Sequence, residues 1–214
     1  MNASRERSSG RAVPVIGVAG GIGSGKSSVA RILGSLGALV SDSDAQIRDA
    51  LKTEEVKRVL TGWWGEGVLD EHGEVDRSAV ARIVFADPAQ RERLEGLLHP
   101  YALRAREETI RRAEREGAPA VVVDAPLLFE AGLDRTCDAV IFVDTPRETR
   151  LARLRETRGW DEQELDRREK AQLPLEHKRE NSDYVVINTG DERDLRTRVE
   201  AVFAQIKQAF TPRP

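Results

Sequence analysis

The stretch Val13-Pro14-Val15-Ile16-Gly17-Val18-Ala19-Gly20-Gly21-Ile22-Gly23-Ser24-Gly25-Lys26-Ser27-Ser28 decides the fold. Its first half, Val13 to Ala19, is apolar and β-branched and reads as a buried strand. Gly20 to Ser27 then satisfies Gly-x-x-x-x-Gly-Lys-Ser, and an amphipathic helix follows, with Val29, Ile32, Leu33 and Leu36 on one stripe and Gly37 as its stop. Strand, glycine loop and helix together form a P-loop. Glycines let the backbone wrap a phosphate with several amides pointing inward, and the helix N-terminus adds about half a positive charge at the same place. Lys26 reaches the β- and γ-phosphates of ATP, and Ser27 offers a hydroxyl to Mg²⁺. The nucleotide-binding set is therefore Gly21, Ile22, Gly23, Ser24, Gly25, Lys26, Ser27 and Ser28.

Outward from this loop, further apolar runs occur at Ala38 to Ser41, Ala120 to Val123, Ala139 to Val143 and Tyr184 to Ile187, separated by helical patterns. Five short buried strands alternating with helices predict an α/β fold with a mostly parallel five-stranded sheet flanked by helices. Leu195, Val199, Val202, Phe203, Ile206 and Phe210 form a helical stripe near the C-terminus. Between the second and third strands lies a segment too long for a plain crossover. It reads as a helical substrate-binding insertion at about 53–116. A second polar span, Arg147 to Arg179, dense in Arg, Glu and Asp, reads as a lid or a solvated hairpin. Residues 1–11 are small and polar and read as a flexible tail preceding a domain at 12–214.

The 214 residues are 39% hydrophobic and 33% charged with a formal net charge of −3. This near balance calls for neither nucleic acid nor an anionic membrane as partner. No apolar run reaches the roughly 20 residues of a membrane span. The one cysteine, Cys137, lies in an apolar run and reads as strand core. The expected setting is the cytoplasm.

A P-loop alone does not separate small-molecule kinases from GTPases or motor ATPases. A guanine-reading Asn-Lys-x-Asp sequence is absent, and the chain is short for a motor. The second strand runs into Ser41-Asp42-Ser43-Asp44, with Arg48 one turn further. A carboxylate there accepts the proton of an attacking hydroxyl, or else Asp42 or Ser43 caps the next helix. The third strand ends at Asp124, placed to hold Mg²⁺ directly or through water. In the helix rich in arginine after Pro100, Glu107–Arg111 and Glu108–Arg112 form i,i+4 pairs, leaving Arg104 as the exception able to meet a substrate phosphate.

Taken in order, the glycine loop, Asp42-Ser43-Asp44 with Arg48, Gly73 to Arg77 followed by Phe85, His99-Pro100, Asp124-Ala125-Pro126-Leu127-Leu128-Phe129-Glu130, Arg168 with Gln172, and Asn188-Thr189-Gly190 resemble the dephospho-coenzyme A kinase family. The resemblance implies transfer of the ATP γ-phosphoryl to the 3'-hydroxyl of dephospho-coenzyme A, the last step of coenzyme A biosynthesis. It implies a P-loop kinase core, a helical substrate-binding insertion and a lid. Asp42 matches the first acid of the family's Asp-Ala-Asp, with Ser43 in place of alanine, and competes with Asp44 for the role of base. Asp42, Asp44, Arg48, Arg77 and His99 are the implied substrate-binding residues, and Arg104 joins them from the charge pattern of its helix. Lys26 and Arg158 are the implied cations at the transition state, and Asn188 joins the nucleotide set. The lid stretch from Arg153 to Trp160 is one residue longer between its arginines than the family pattern. Two other readings stay open at this stage: a kinase of a different small molecule, and a nucleotide-dependent binding module.

Overall fold

Residues 10–211 are described in a computed structural model; residues 1–9, most of the expected tail, lie outside them. The chain divides into two compact units, Asp42–Glu108 and the remainder.

The larger unit is built on five strands: β1 (Val15–Gly20), β2 (Leu39–Asp42), β3 (Val121–Asp124), β4 (Ala139–Asp144) and β5 (Tyr184–Ile187), in the order β2-β3-β1-β4-β5. β1 pairs in parallel with β3 and β4, and β4 with β5. All five expected strands are present. Four of them run one residue further at the carboxyl end than their apolar runs, because the ladder carries on to Gly20, Asp42, Asp124 and Asp144 after the hydrophobic pattern has stopped.

Both faces of the sheet are covered, which is why its strands read as continuous apolar runs and not as alternating ones. On one face Ile16, Val18, Val122, Ile141 and Val186 pack against α1 (Lys26–Ser35) and α9 (Glu192–Ala209), through Val29, Ile32 and Leu33 of the first and Leu195, Val199, Phe203 and Ile206 of the second. Each such side chain contributes about 1.5–3 kcal/mol on leaving water. α1 ends where predicted, with Gly37 adopting a left-handed φ of 96°. On the other face Val15, Ala19, Val121, Val123, Val140 and Phe142 meet Ile110, Ala113, Leu128 and Phe129. Arg11 donates to the Thr136 carbonyl at 3.0 Å, so the chain is anchored just ahead of the first strand.

After β4 come α6 (Arg147–Arg158), α7 (Glu162–Glu169) and α8 (Leu175–Glu180). Leu151, Leu154 and Leu165, with Ile22 and Trp160 against them, give α6 and α7 a small apolar core of their own.

The unit Asp42–Glu108 is helical: α2 (Ser43–Leu51), α3 (Glu54–Trp64), α4 (Arg77–Ala86) and the first part of α5 (Pro88–Glu116). Val56, Leu60, Val68, Val80 and Leu98 form its core, with Trp63 and Trp64 packed on it edge to face. The Trp64 indole donates to Gln90 at 2.8 Å, and Arg93 lies over the Trp63 ring. The glycine-rich turn carries an isolated antiparallel bridge between Leu69 and Val75. Sequence reading starts a helix at His99-Pro100, whereas α5 begins at Pro88 and runs through Pro100. Proline within a helix removes one backbone bond at a cost of about 3 kcal/mol, and Leu94, Leu97, Leu98 and Tyr101, packed on both sides of it, offset that loss.

Gly17, in the middle of β1, is required for space: a Cβ there would lie 2.8 Å from Leu128 Cδ2 and 3.0 Å from Cys137 Sγ. Gly17→Ala should lower stability by about 1–3 kcal/mol, as overpacking does. Denaturant unfolding of the variant beside the parent measures this.

Candidate active site

The glycine loop leaves β1 and enters α1 with Gly23 and Gly25 at φ of 77° and 93°, conformations that residues with a Cβ rarely adopt. Ser24 N–H donates to the Gly21 carbonyl at 3.1 Å and closes the turn. The loop is then held from behind by its carbonyls. Ile22 O accepts from Arg150 at 3.2 Å. Ser24 O accepts from Asn188 Nδ2 at 2.8 Å and Thr145 Oγ1 at 2.9 Å, with Arg153 further off at 3.5 Å. In a trans peptide the carbonyl and the next N–H point in opposite directions. Fixing these two carbonyls therefore turns the Gly23 and Gly25 amides away from Arg150 and Asn188, as donors for an anion. The backing is close: a Cβ on Gly21 would come 2.9 Å from the Arg150 guanidinium, and one on Gly25 would strike the Asn188 amide.

Lys26 Nζ donates to the Gly20 and Gly21 carbonyls, at 3.0 Å each. Burial and then repulsion from Lys178 push its pKa down to about 8, with Arg150 adding to the fall while Asp124 and Glu130 oppose it. Lys178 is 2% exposed, bonds to Glu130 at 2.7 Å and to Gln172 at 3.0 Å, and sits on α8, which packs on β1. Glu130 also accepts from the Leu173 N–H at 3.0 Å. Burial, the largest single influence, would raise the Glu130 pKa, but the Lys178 bond, the backbone N–H bonds and the Lys178 charge together overcome it, and the carboxyl titrates below its usual range. A cluster of cations, two of them almost fully buried, thus surrounds the loop.

Ser27 opens α1 with its side chain exposed, and Asp124 ends β3 near enough to Lys26 for their charges to interact. Among the described residues no group of three or more His, Cys, Asp or Glu is arranged to hold a metal. One hydroxyl and one carboxylate nevertheless suit Mg²⁺, which takes one or two protein oxygens and draws the rest from phosphate and water. Arg158, at the exposed end of α6, stacks on Trp160; the arginines on the loop backbone are Arg150 and Arg153.

In the helical unit Asp42 caps α2, accepting from Ala45 N–H at 2.9 Å, and its other oxygen lies 4.0 Å from Arg48. Capping and an available carboxylate oxygen thus coexist at one residue. Asp44, Arg77, His99 and Arg104 are exposed, and Phe85 on α4 is 82% exposed, an unusual cost for an apolar ring. Sequence reading did not single out Thr145, Arg150 or Lys178. Thr145 alone carried a signal, as a hydroxyl directly after a strand.

Such a loop, between the first strand and helix of a parallel sheet, with a lysine and acids at strand ends, defines a P-loop kinase. A family model described as dephospho-CoA kinase matches residues 14–194, and the chain belongs to that family. The dephospho-CoA kinase of Geobacter sulfurreducens is 38% identical over 192 residues, covering 89% of this chain and 98% of the relative. Among solved structures, TT1252 from Thermus thermophilus matches with a TM-score of 0.77 at 38% identity, covering 90% of this chain and 97% of that one. Dephospho-CoA kinase from Campylobacter jejuni matches with a TM-score of 0.68 at 25% identity, covering 91% and 97%.

The Lys26 ammonium should titrate near pH 8 in the nucleotide-free protein. Reductive methylation with ¹³C and NMR titration gives the midpoint. In Lys178→Met the midpoint should rise, because a repelling charge has gone.

Proposed function

We propose that this chain uses ATP to phosphorylate the 3'-hydroxyl of dephospho-coenzyme A, giving coenzyme A and ADP. The observation that carries this is the family match across 14–194, which takes in the glycine loop, the helical unit and the α6–α8 span together. The ribose hydroxyl attacks the γ-phosphorus in line, the bond to the β-phosphate oxygen breaks, and the proton passes to a carboxylate. Asp42 is that base and Asp44 its neighbour on the substrate. A sugar hydroxyl is barely ionised at neutral pH, and since the transition state is loose, Asp42 acts mainly by orienting it.

Lys26 follows charge onto the moving phosphoryl group, and the Gly23 and Gly25 amides hold its oxygens. Mg²⁺, held by Ser27 and by Asp124 directly or through water, would neutralise phosphate charge. Arg48, Arg77, His99 and Arg104 bind dephospho-coenzyme A. Arg158 is the proposed lid cation, on the family resemblance. The contacts of Arg153 with Ser24 and Asn188 favour Arg153 as a second reading, since it already touches the loop. Arg147 to Arg179 acts as the lid and Asn188 borders the nucleotide. No helix among the described residues is long and apolar enough to cross a membrane. The proposed setting is the cytoplasm.

ADP release with dephospho-coenzyme A and Mg-ATP tests the reading, with shikimate and nucleosides as competing acceptors. Lys26→Ala should lose roughly 10²–10³-fold in kcat/KM. Asp42→Asn should lose roughly 10²–10⁴-fold in kcat while still binding ATP. Turnover by Asp42→Asn within a few fold of the parent, with Asp44→Asn inactive, would move the base to Asp44. Activity undiminished by a strong chelator would remove Mg²⁺ from the scheme.

A further inference from the structure

Arg150 is 4% exposed, the one charged residue of α6 that is buried. Its guanidinium has three partners. Nε donates to the Thr145 carbonyl at 3.2 Å, and one terminal nitrogen donates both to the Ile22 carbonyl at 3.2 Å and to Glu169 of α7. Glu169 uses its other oxygen for Arg147 at 3.2 Å, and Arg147 also holds Glu162 and Asp166 on the same helix. A row of acids on α7 is thus gathered by two arginines of α6, and one of these arginines bonds the phosphate-binding loop directly.

We propose that Arg150 and Glu169 are positioning residues which couple the docking of α7 to the shape of the phosphate-binding loop. The chain of cause is short. Glu169 is the anion that neutralises and aims the Arg150 guanidinium. Arg150 fixes the Ile22 carbonyl, and the trans peptide then fixes the direction of the Gly23 amide. With α7 lifted away, Arg150 would be a buried cation without its anion, which is strongly unfavourable, so the guanidinium would follow Glu169 outward or admit water. Either response frees the Ile22–Gly23 peptide to rotate. The docked helix therefore favours the loop that receives a triphosphate. By reciprocity, a triphosphate on the loop favours the docked helix to the same extent. Substitution at Glu169 acts on ATP through the loop and leaves the acceptor's own contacts alone.

The inference rests on the loop binding ATP, and the experiment separates the two. Hydrogen exchange of the full chain is followed over Glu162–Glu169 with and without Mg²⁺ and a non-hydrolysable ATP analogue, in the parent, in Glu169→Gln, and in the neutral double variant Arg150→Gln/Glu169→Gln. In the parent the analogue should slow exchange of these amides about tenfold. In both variants the slowing should fall below about twofold, and KM for ATP should rise about tenfold while KM for dephospho-coenzyme A stays within twofold. The double variant carries no buried unpaired charge and decides the matter if Glu169→Gln does not fold. Undiminished protection of α7 in the folded double variant, or equal rises in both KM values, overturns the coupling. A parent that does not bind the analogue overturns the ATP reading and the coupling with it.

Discussion

The bonds to the Ser24 carbonyl set the geometry on which the site depends. Thr145 and Asn188, 7% and 4% exposed, follow β4 and β5, and both donate to this one oxygen of the loop that follows β1. Glycines at positive φ leave the loop unable to fix its own peptide planes, so the orientation must come from outside. It comes from the sheet. The parallel register that sets Gly20 opposite Val143 brings the ends of β1 and β4 together, and Asp144 opposite Ile187 does the same for β5. Apolar packing of Ile16, Val18 and Ile141 beneath α1 and α9 holds those strand ends in place. Core packing and phosphate recognition are in this sense one structure.

The loop also gathers cations before any substrate charge is present. Lys26 is repelled by Lys178 and Arg150 in a poorly solvated place, and Glu130, Asp124 and Glu169 offset the three positive charges. A triphosphate would relieve this repulsion, so charge held unfavourably in the free protein becomes affinity for an anion. The same arrangement gives the polar residues around the loop a use that packing alone would not require.

What the sequence made legible follows from where local pattern suffices. The five strands were readable because burial on both faces leaves uninterrupted apolar runs, and the glycine loop because its spacing is dictated by phosphate geometry. Asn188 was marked by its place after a strand within a family pattern. Arg150 and Glu169 were hidden among Arg147 to Arg179, where a buried guanidinium looks the same as a solvated one until tertiary contacts select it. Lys178 was hidden for the same reason, in a six-residue helix with four other charged or ionisable neighbours. The start of α5 was misplaced because Pro100 is a strong boundary signal locally, and the apolar contacts that override it come from α3 and α4.

Cys137 has a further consequence. It is the single thiol of the chain, 1% exposed, packed under β1 beside Gly17, with its Sγ toward the Leu133 carbonyl. A thiol in that position meets an alkylating reagent only when the sheet parts from the segment covering it. Modification is then an all-or-none event, since no second cysteine competes for the label. Each labelled molecule records one opening of the nucleotide core, and the labelling rate becomes a clock for how often that core comes apart under native conditions.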